Sequence, residues 1–231
     1  MIENILYFGL NVSKGFALGC TIYALGGFMD SWFSSKSVKA LLESKNHFLH
    51  KADNQVLFNL AVISPIVYSV ASSTFLQNHF SFSTTQYMFL LFLQNSGYYI
   101  AHALMHQHAW LYKYHRFHHE FDTITIPSSG NAVTSQEFVI AYIAPFVVGG
   151  IIVRPTEFTY VAAIGTIAVL NMVIHTAEWQ NVQWVPWLIS PAKHVDHHKK
   201  RFTHYSAPLL DFDYLFDSVF SLFSQKIEKQ D

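Results

Sequence analysis

Ten of the fourteen histidines in this chain fall into a nested pattern of spacings suited to metal ligation. His102 and His106 spell H-x-x-x-H, and His115, His118 and His119 spell H-x-x-H-H. His194, His197 and His198 repeat that second spelling, while His175 and His204 stand singly. Neutral imidazole is the commonest side-chain metal ligand, and it suits iron, copper, zinc and nickel. Residues four apart on a helix share a face, so His102 and His106 project together. Each H-x-x-H-H run offers three rings within one turn toward a common volume. The two triplets and the pair, completed by His175 or His204, suffice for two six-coordinate centres with room for water or dioxygen. One or two of the nearby carboxylates (Glu120, Asp122, Glu178 and Asp196) are expected to orient ring N–H groups from behind. His47, His50, His79 and His108 lie outside these spacings. They read as interfacial residues with an apolar body and a polar tip.

The elements that must position these rings are apolar. The 231 residues are 51% hydrophobic and only 13% charged, half the roughly 25% charge of soluble domains. Aromatics reach 16%, which suits lipid-facing and interfacial surfaces. A net charge of −1 gives no reason to expect a nucleic-acid partner. The single cysteine, Cys20, excludes an internal disulfide framework and a cysteine metal site. Glu3 after Met1 is unlike the basic start of a cleaved leader.

Four apolar segments need placing: residues 56–76 and 84–104 are long enough to cross a bilayer, whereas 138–153 and 158–174 are short and either cross or stop part-way. The last two are joined by Arg154-Pro155-Thr156-Glu157, which reads as a tight turn between helices. Residues 5–29 are apolar but carry Lys14 and several glycines, so they either span or lie in the interface. If 84–104 descends to one face, the later hairpin leaves and returns, and every clustered histidine emerges on that face. Lys36, Lys39, Lys45, Lys51, Lys113, Arg116, Lys193, Lys199, Lys200 and Arg201 emerge there too. Cationic loops stay in the cytosol. The expectation is an all-α integral membrane protein with about four transmembrane helices and a cytosolic, histidine-rich helical cap holding a dimetal site. Residues 1–83 form an N-terminal anchor region and 84–231 the catalytic region of one continuous domain.

The three histidine motifs resemble those of the fatty acid hydroxylase / sterol desaturase superfamily of integral-membrane di-iron oxygenases. The resemblance covers roughly residues 90–220. It includes Leu111 to Phe121 leading through the second motif, Pro127 and Glu137 downstream of it, and Asp213-Tyr214-Leu215-Phe216 near the end. Four places depart from the usual family pattern: Asn95 in place of an aspartate, Ala103 in place of an arginine, Val195 where an acidic residue is usual, and His204-Tyr205 where an Asn-aromatic pair is common. None removes a motif histidine. The resemblance implies two iron ions held by the ten histidines, with dioxygen as co-substrate. It implies hydroxylation or desaturation of an unactivated C–H bond in a sterol-like or fatty-acyl lipid taken from the bilayer, in lipid biosynthesis. If the source is eukaryotic, the endoplasmic reticulum is the expected membrane.

No nucleotide-binding fingerprint or haem-attachment motif stands in the sequence, so the electrons are expected from cytochrome b5 or ferredoxin with its reductase. The run Lys199-Lys200-Arg201 could dock an acidic carrier, or anchor the chain at the lipid surface. Two other classes share the same histidines: a membrane hydrolase or aldehyde-processing enzyme, and a catalytically silent metal-binding protein.

Overall fold

The structure, a computed structural model, describes residues 2–77 and 80–218; His79 lies outside them. Among the described residues the chain is helical and has no strand. Helix α1 (Ile2–Phe33) is followed by α2 (Ser35–Phe58), a π turn at Asn59–Ile63, and α3 (Ser64–Thr74). Then come α4 (Thr84–Gln107), α5 (Ala109–His115), α6 (Ser135–Glu137), a second π turn at Phe138–Ile143, α7 (Ala144–Val153), α8 (Glu157–Ile174) and α9 (Pro191–Lys200).

Local chemistry explains several of these boundaries. The hydroxyls of Ser83, Thr156 and Ser190 accept the backbone N–H groups of Gln86, Thr159 and Lys193, capping α4, α8 and α9. Pro191 at the start of α9 costs no hydrogen bond, because the first helical N–H groups have no intrahelical partner. Arg154 adopts a left-handed conformation and closes α7, so the expected tight turn into α8 forms. Each π turn precedes a proline, Pro65 or Pro145, whose missing N–H loosens the ladder.

Four helical stretches are long and apolar enough to cross a membrane: residues 5–33, 35–74, 135–153 and 157–174. The 18 residues of α8 rise about 27 Å, close to the thickness of a hydrocarbon core. The N-terminal segment that the sequence left open is thus one continuous helix of spanning length. Helix α4 forms where expected but is not among the four. Its Gln94, Asn95 and His102 are polar and buried by neighbouring protein. Helix α1 packs along α3, and α4 lies against α7 and α8. Gly15 permits the first contact, since a β-carbon there would sit 2.8 Å from the α-carbon of Pro65, and Gly19 lets α1 approach the first π turn, where a β-carbon would sit 2.0 Å from the carbonyl oxygen of Leu60.

At one end of this bundle, Gln77 pairs with Pro155 and Glu157, beside the α7–α8 turn. The histidines collect at the other end, where α4 and α8 finish and where α5, α9 and the short helices between them form a cap.

Candidate metal centre

Nine of the ten expected histidines converge into two groups. His102, His106, His115, His119 and His197 form one, and His118, His175, His194 and His198 form the other. Within each group the ligand atoms lie within 4.8 Å of one another. Eight of the nine are buried, and His106 is partly exposed.

Neither triplet stays together, contrary to the expectation of a common volume for each. His115 and His119 face the first group while His118 faces the second. The chain leaves α5 at His115 and passes through a 3-10 turn over His118–Phe121, which turns adjacent rings apart. On α9, consecutive residues point about 100° apart, so His197 enters the first group while His194 and His198, a turn apart, enter the second. His204 joins neither group. It stands in a left-handed conformation with φ of 54°, its Nδ1 3.7 Å from Asp211 Oδ2 and its Nε2 3.9 Å from Asp196 Oδ2. His47, His50 and His108 are exposed and also lie outside both groups.

Four rings are held from behind. The Nδ1 of His102 donates to the carbonyl of Tyr205 at 2.6 Å, and that of His197 to the carbonyl of Thr203 at 2.7 Å. His175 Nδ1 donates to the carbonyl of Asn171 at 2.6 Å, and His115 Nδ1 to Glu137 Oε1 at 2.6 Å. A ring whose Nδ1 carries the proton presents its Nε2 lone pair inward. The Nε2 atoms do face one another: His102 to His115 at 2.9 Å, His106 to His119 at 3.2 Å, and His175 to His118 and His194 at 3.2 and 2.8 Å.

Burial keeps these rings neutral. It holds His115, His118, His119, His194 and His198 below the ordinary histidine range, and neighbouring imidazoles push the same way. His175 and His197 are pushed down to about 4, again chiefly by burial. Neutral imidazole is the ligand form. Moreover, His197 Nε2 and both nitrogens of His198 are buried without a hydrogen-bond partner. A buried unsatisfied polar atom costs about 1–3 kcal/mol, and a metal ion is a partner to which a ring-nitrogen lone pair donates. The residues present therefore fit a pair of metal ions.

Residues 87–218, more than half of the chain, match the model of the fatty acid hydroxylase family. The chain belongs to that family. It is accordingly a member of the fatty acid hydroxylase / sterol desaturase superfamily, with the apolar helices of an integral membrane protein. No curated protein and no solved structure matches it. The matched segment holds all nine converging histidines.

The carboxylates expected behind the rings serve elsewhere. Glu178 accepts from the hydroxyls of Ser34 and Ser37 at 2.6 and 2.9 Å, tying the start of α2 to the chain beyond α8. Asp196 pairs with Lys200 at 2.9 Å. Glu120 and Asp122 are exposed, and the backbone carbonyl of Glu120 accepts from Lys45. In this member of the fatty acid hydroxylase family the orienting carboxylate is Glu137, whose position only the family pattern singled out. The other three orienting acceptors are backbone carbonyls, which no residue type announces.

Proposed function

We propose that this chain is a membrane-bound di-iron oxygenase. It uses dioxygen and external electrons to hydroxylate an unactivated C–H bond of a lipid, sterol-like or fatty-acyl, or to desaturate it by removing a second hydrogen, in lipid biosynthesis. The observation that carries this reading is the pair of adjacent all-histidine groups at the end of a membrane helix bundle.

His102, His106, His115, His119 and His197 would hold one iron, and His118, His175, His194 and His198 the other. When bound, the two irons supply the electrons and the oxygen activation that organic side chains lack. The protein's own groups keep the rings neutral and aimed: Glu137 and the carbonyls of Tyr205, Thr203 and Asn171 hold the Nδ1 protons. The buried cap excludes water from the second group, all four of whose histidines are buried. A zinc hydrolase keeps three protein ligands and an open position, whereas five and four histidines here favour a redox pair.

We assign the histidine cap to the cytosolic side, because ten lysines and arginines accompany it. For a eukaryotic source the membrane is that of the endoplasmic reticulum. Electrons come from a separate carrier, cytochrome b5 or ferredoxin with its reductase, drawn to Lys199, Lys200 and Arg201.

The test is comparative lipid mass spectrometry under isotopically labelled dioxygen, with cells expressing this chain or His118→Ala. A lipid gaining one labelled oxygen only with the intact protein establishes the hydroxylase. Loss of two hydrogens without label establishes the desaturase. No difference, with iron and a competent reductase supplied, overturns the proposal.

A further inference from the structure

The strap from Ile126 to Glu137 stands behind one histidine of each group. Its last residue, Glu137, accepts the Nδ1 proton of His115 in the first group. Earlier in the strap, the carbonyl of Gly130 accepts from the Asn171 amide and the Tyr142 hydroxyl, at 2.6 and 2.9 Å. Asn171 in turn holds the Nδ1 proton of His175, in the second group, on its backbone carbonyl. A β-carbon on Gly130 would lie 2.9 Å from Asn171 Nδ2 and 3.0 Å from His175 Nδ1. The missing side chain therefore lets the strap close on both.

The strap's own hydrogen bonds are local. Ser129 Oγ donates to the carbonyl of Ile126 at 2.6 Å, and Thr134 Oγ1 accepts the N–H of Glu137 at 3.2 Å. Support from outside comes from the N-terminal helices, which precede the family-matched residues 87–218.

Two side chains supply it. Near the end of α1, Asp30 Oδ1 accepts the backbone N–H of Ser128 at 2.9 Å. Gly26, one turn earlier on the same face, brings α1 close: a β-carbon there would lie 3.4 Å from Ser128 Cβ and 3.7 Å from Met172. At the start of the first π turn, the fully buried Asn59 donates its amide to the carbonyl of Val133 at 2.9 Å. Its Oδ1 accepts from Ser135 Oγ at 3.0 Å and from Gln55 Nε2 at 3.1 Å. Gln55 Nε2 also donates to Ser135 Oγ, at 2.8 Å. Polar side chains buried within membrane helices are expensive and tend to be functional, and π turns recur at functional sites.

We infer that the N-terminal helices set the metal centre as well as anchoring the chain. Asp30 positions His175 of the second group, through the turn from Ser128 to Gly130 and through Asn171. Asn59 positions His115 of the first group, through Ser135 and Glu137. Both are positioning residues, and the inference rests on the two-metal reading above. The two act separately because the halves of the strap lead to different rings. A tie that merely held helices together would weaken both groups alike.

The test uses the full-length protein in lipid nanodiscs. In the metal-free protein, hydrogen exchange read by mass spectrometry should quicken over residues 127–131 in Asp30→Ala and over 133–137 in Asn59→Leu, each sparing the other half. Iron titration against a competing chelator then reads the two groups. His194→Ala, which removes a ligand of the second group, and His197→Ala, which removes one of the first, assign the two binding steps. Asp30→Ala should weaken the second-group step about three- to tenfold, the size of one hydrogen bond, and spare the first. Asn59→Leu should do the reverse. Asp30→Asn keeps an acceptor oxygen for the Ser128 N–H and should restore the second step. Lys14→Met breaks the tie of α1 to Glu157 at the far end of the bundle. It should lower the thermal midpoint and leave both steps in place.

Equal weakening of both steps by Asp30→Ala or Asn59→Leu overturns the inference, as does a failure of Asp30→Asn to restore the second. Unchanged exchange or unchanged affinities in both variants overturn it too. If the parent protein takes up no iron, the two-metal reading falls, and the exchange pattern still decides whether Asp30 and Asn59 hold the strap.

Discussion

The Nδ1 atom of His115 lies 2.6 Å from Oε1 of Glu137, and both side chains are buried. This contact joins the second histidine motif to the start of the α7 arm, and it fixes which nitrogen of His115 carries the proton. Carboxylates behind metal-bound histidines raise ligand basicity, and their loss typically costs 10- to 100-fold in metal affinity. Glu137→Ala should show a loss of that size in iron titrations against a competing chelator. Glu137→Gln retains an acceptor oxygen and should fall between it and the parent. Equal affinities for all three proteins would remove Glu137 from the centre.

His204 and His198 give opposite expectations although only six residues separate them. His198 faces the second group with both nitrogens unpartnered, whereas His204 turns toward Asp211 and Asp196. Metal analysis of the purified proteins should find two irons per chain in His204→Ala and at most one in His198→Ala. Loss of iron in both would return His204 to the ligand set.

Asn95 has a structural task that an aspartate does not share. Its Oδ1 accepts from the backbone N–H groups of Leu209 and Leu210 at 3.1 and 3.2 Å, while its Nδ2 donates to the carbonyl of Leu210 at 3.1 Å. The amide thereby clamps the segment after α9 onto α4. Asn95→Asp keeps the acceptor, removes the donor and sets a carboxylate against a carbonyl, at a cost of about 1–3 kcal/mol. A thermal midpoint lowered by several degrees checks this. The family-typical residue should therefore destabilise this particular chain.

The sequence made the ring set legible because metal ligation needs particular side chains at helical spacings, and nine of those rings converge. It did not show how each triplet divides, because the division depends on a 3-10 turn at His118 and on the facing of α9. The helical hairpin was readable from Arg154-Pro155, which breaks both flanking helices. The partners behind the rings were mostly hidden. Three are backbone carbonyls, and Glu137 stands eighteen residues beyond His119, brought back only by the fold. Charge in the sequence misled at Glu178, whose carboxylate holds the α1–α2 junction through Ser34 and Ser37.

The buried neutral histidines make the metal-free protein sensitive to acid. In the unfolded chain an imidazole takes up a proton near pH 6.5, whereas His175 and His197 do so only at about 4 in the fold. Between those values the unfolded state binds more protons, so stability falls as pH falls. Each such ring loses about 1.4 kcal/mol per pH unit across that window. Chemical denaturation of the iron-free protein at pH 7.5, 6.0 and 5.0 should show a stepwise loss, with no comparable change above pH 7. Flat stability down to pH 5 would mean that these rings are not held neutral.

Lys199 and Arg201 are exposed at the end of α9, beside the histidines of the first and second groups, while Lys200 is partly tied to Asp196. Arg201 also reaches the hydroxyl of Tyr112 at 3.4 Å, so the patch spans two elements of the cap. A cationic patch in that place attracts an acidic electron carrier over a distance set by ionic screening, about 10 Å at 0.1 M salt. Lys199→Glu should therefore raise the KM for reduced carrier several-fold at low salt while leaving kcat within twofold, and the difference should vanish near 0.5 M salt. A lipid-surface anchor behaves otherwise. In that case the substitution leaves the carrier KM unchanged and weakens the protein's protection of anionic-lipid nanodiscs against salt-induced rearrangement. Steady-state rates across a salt series therefore separate the two roles of the same three residues.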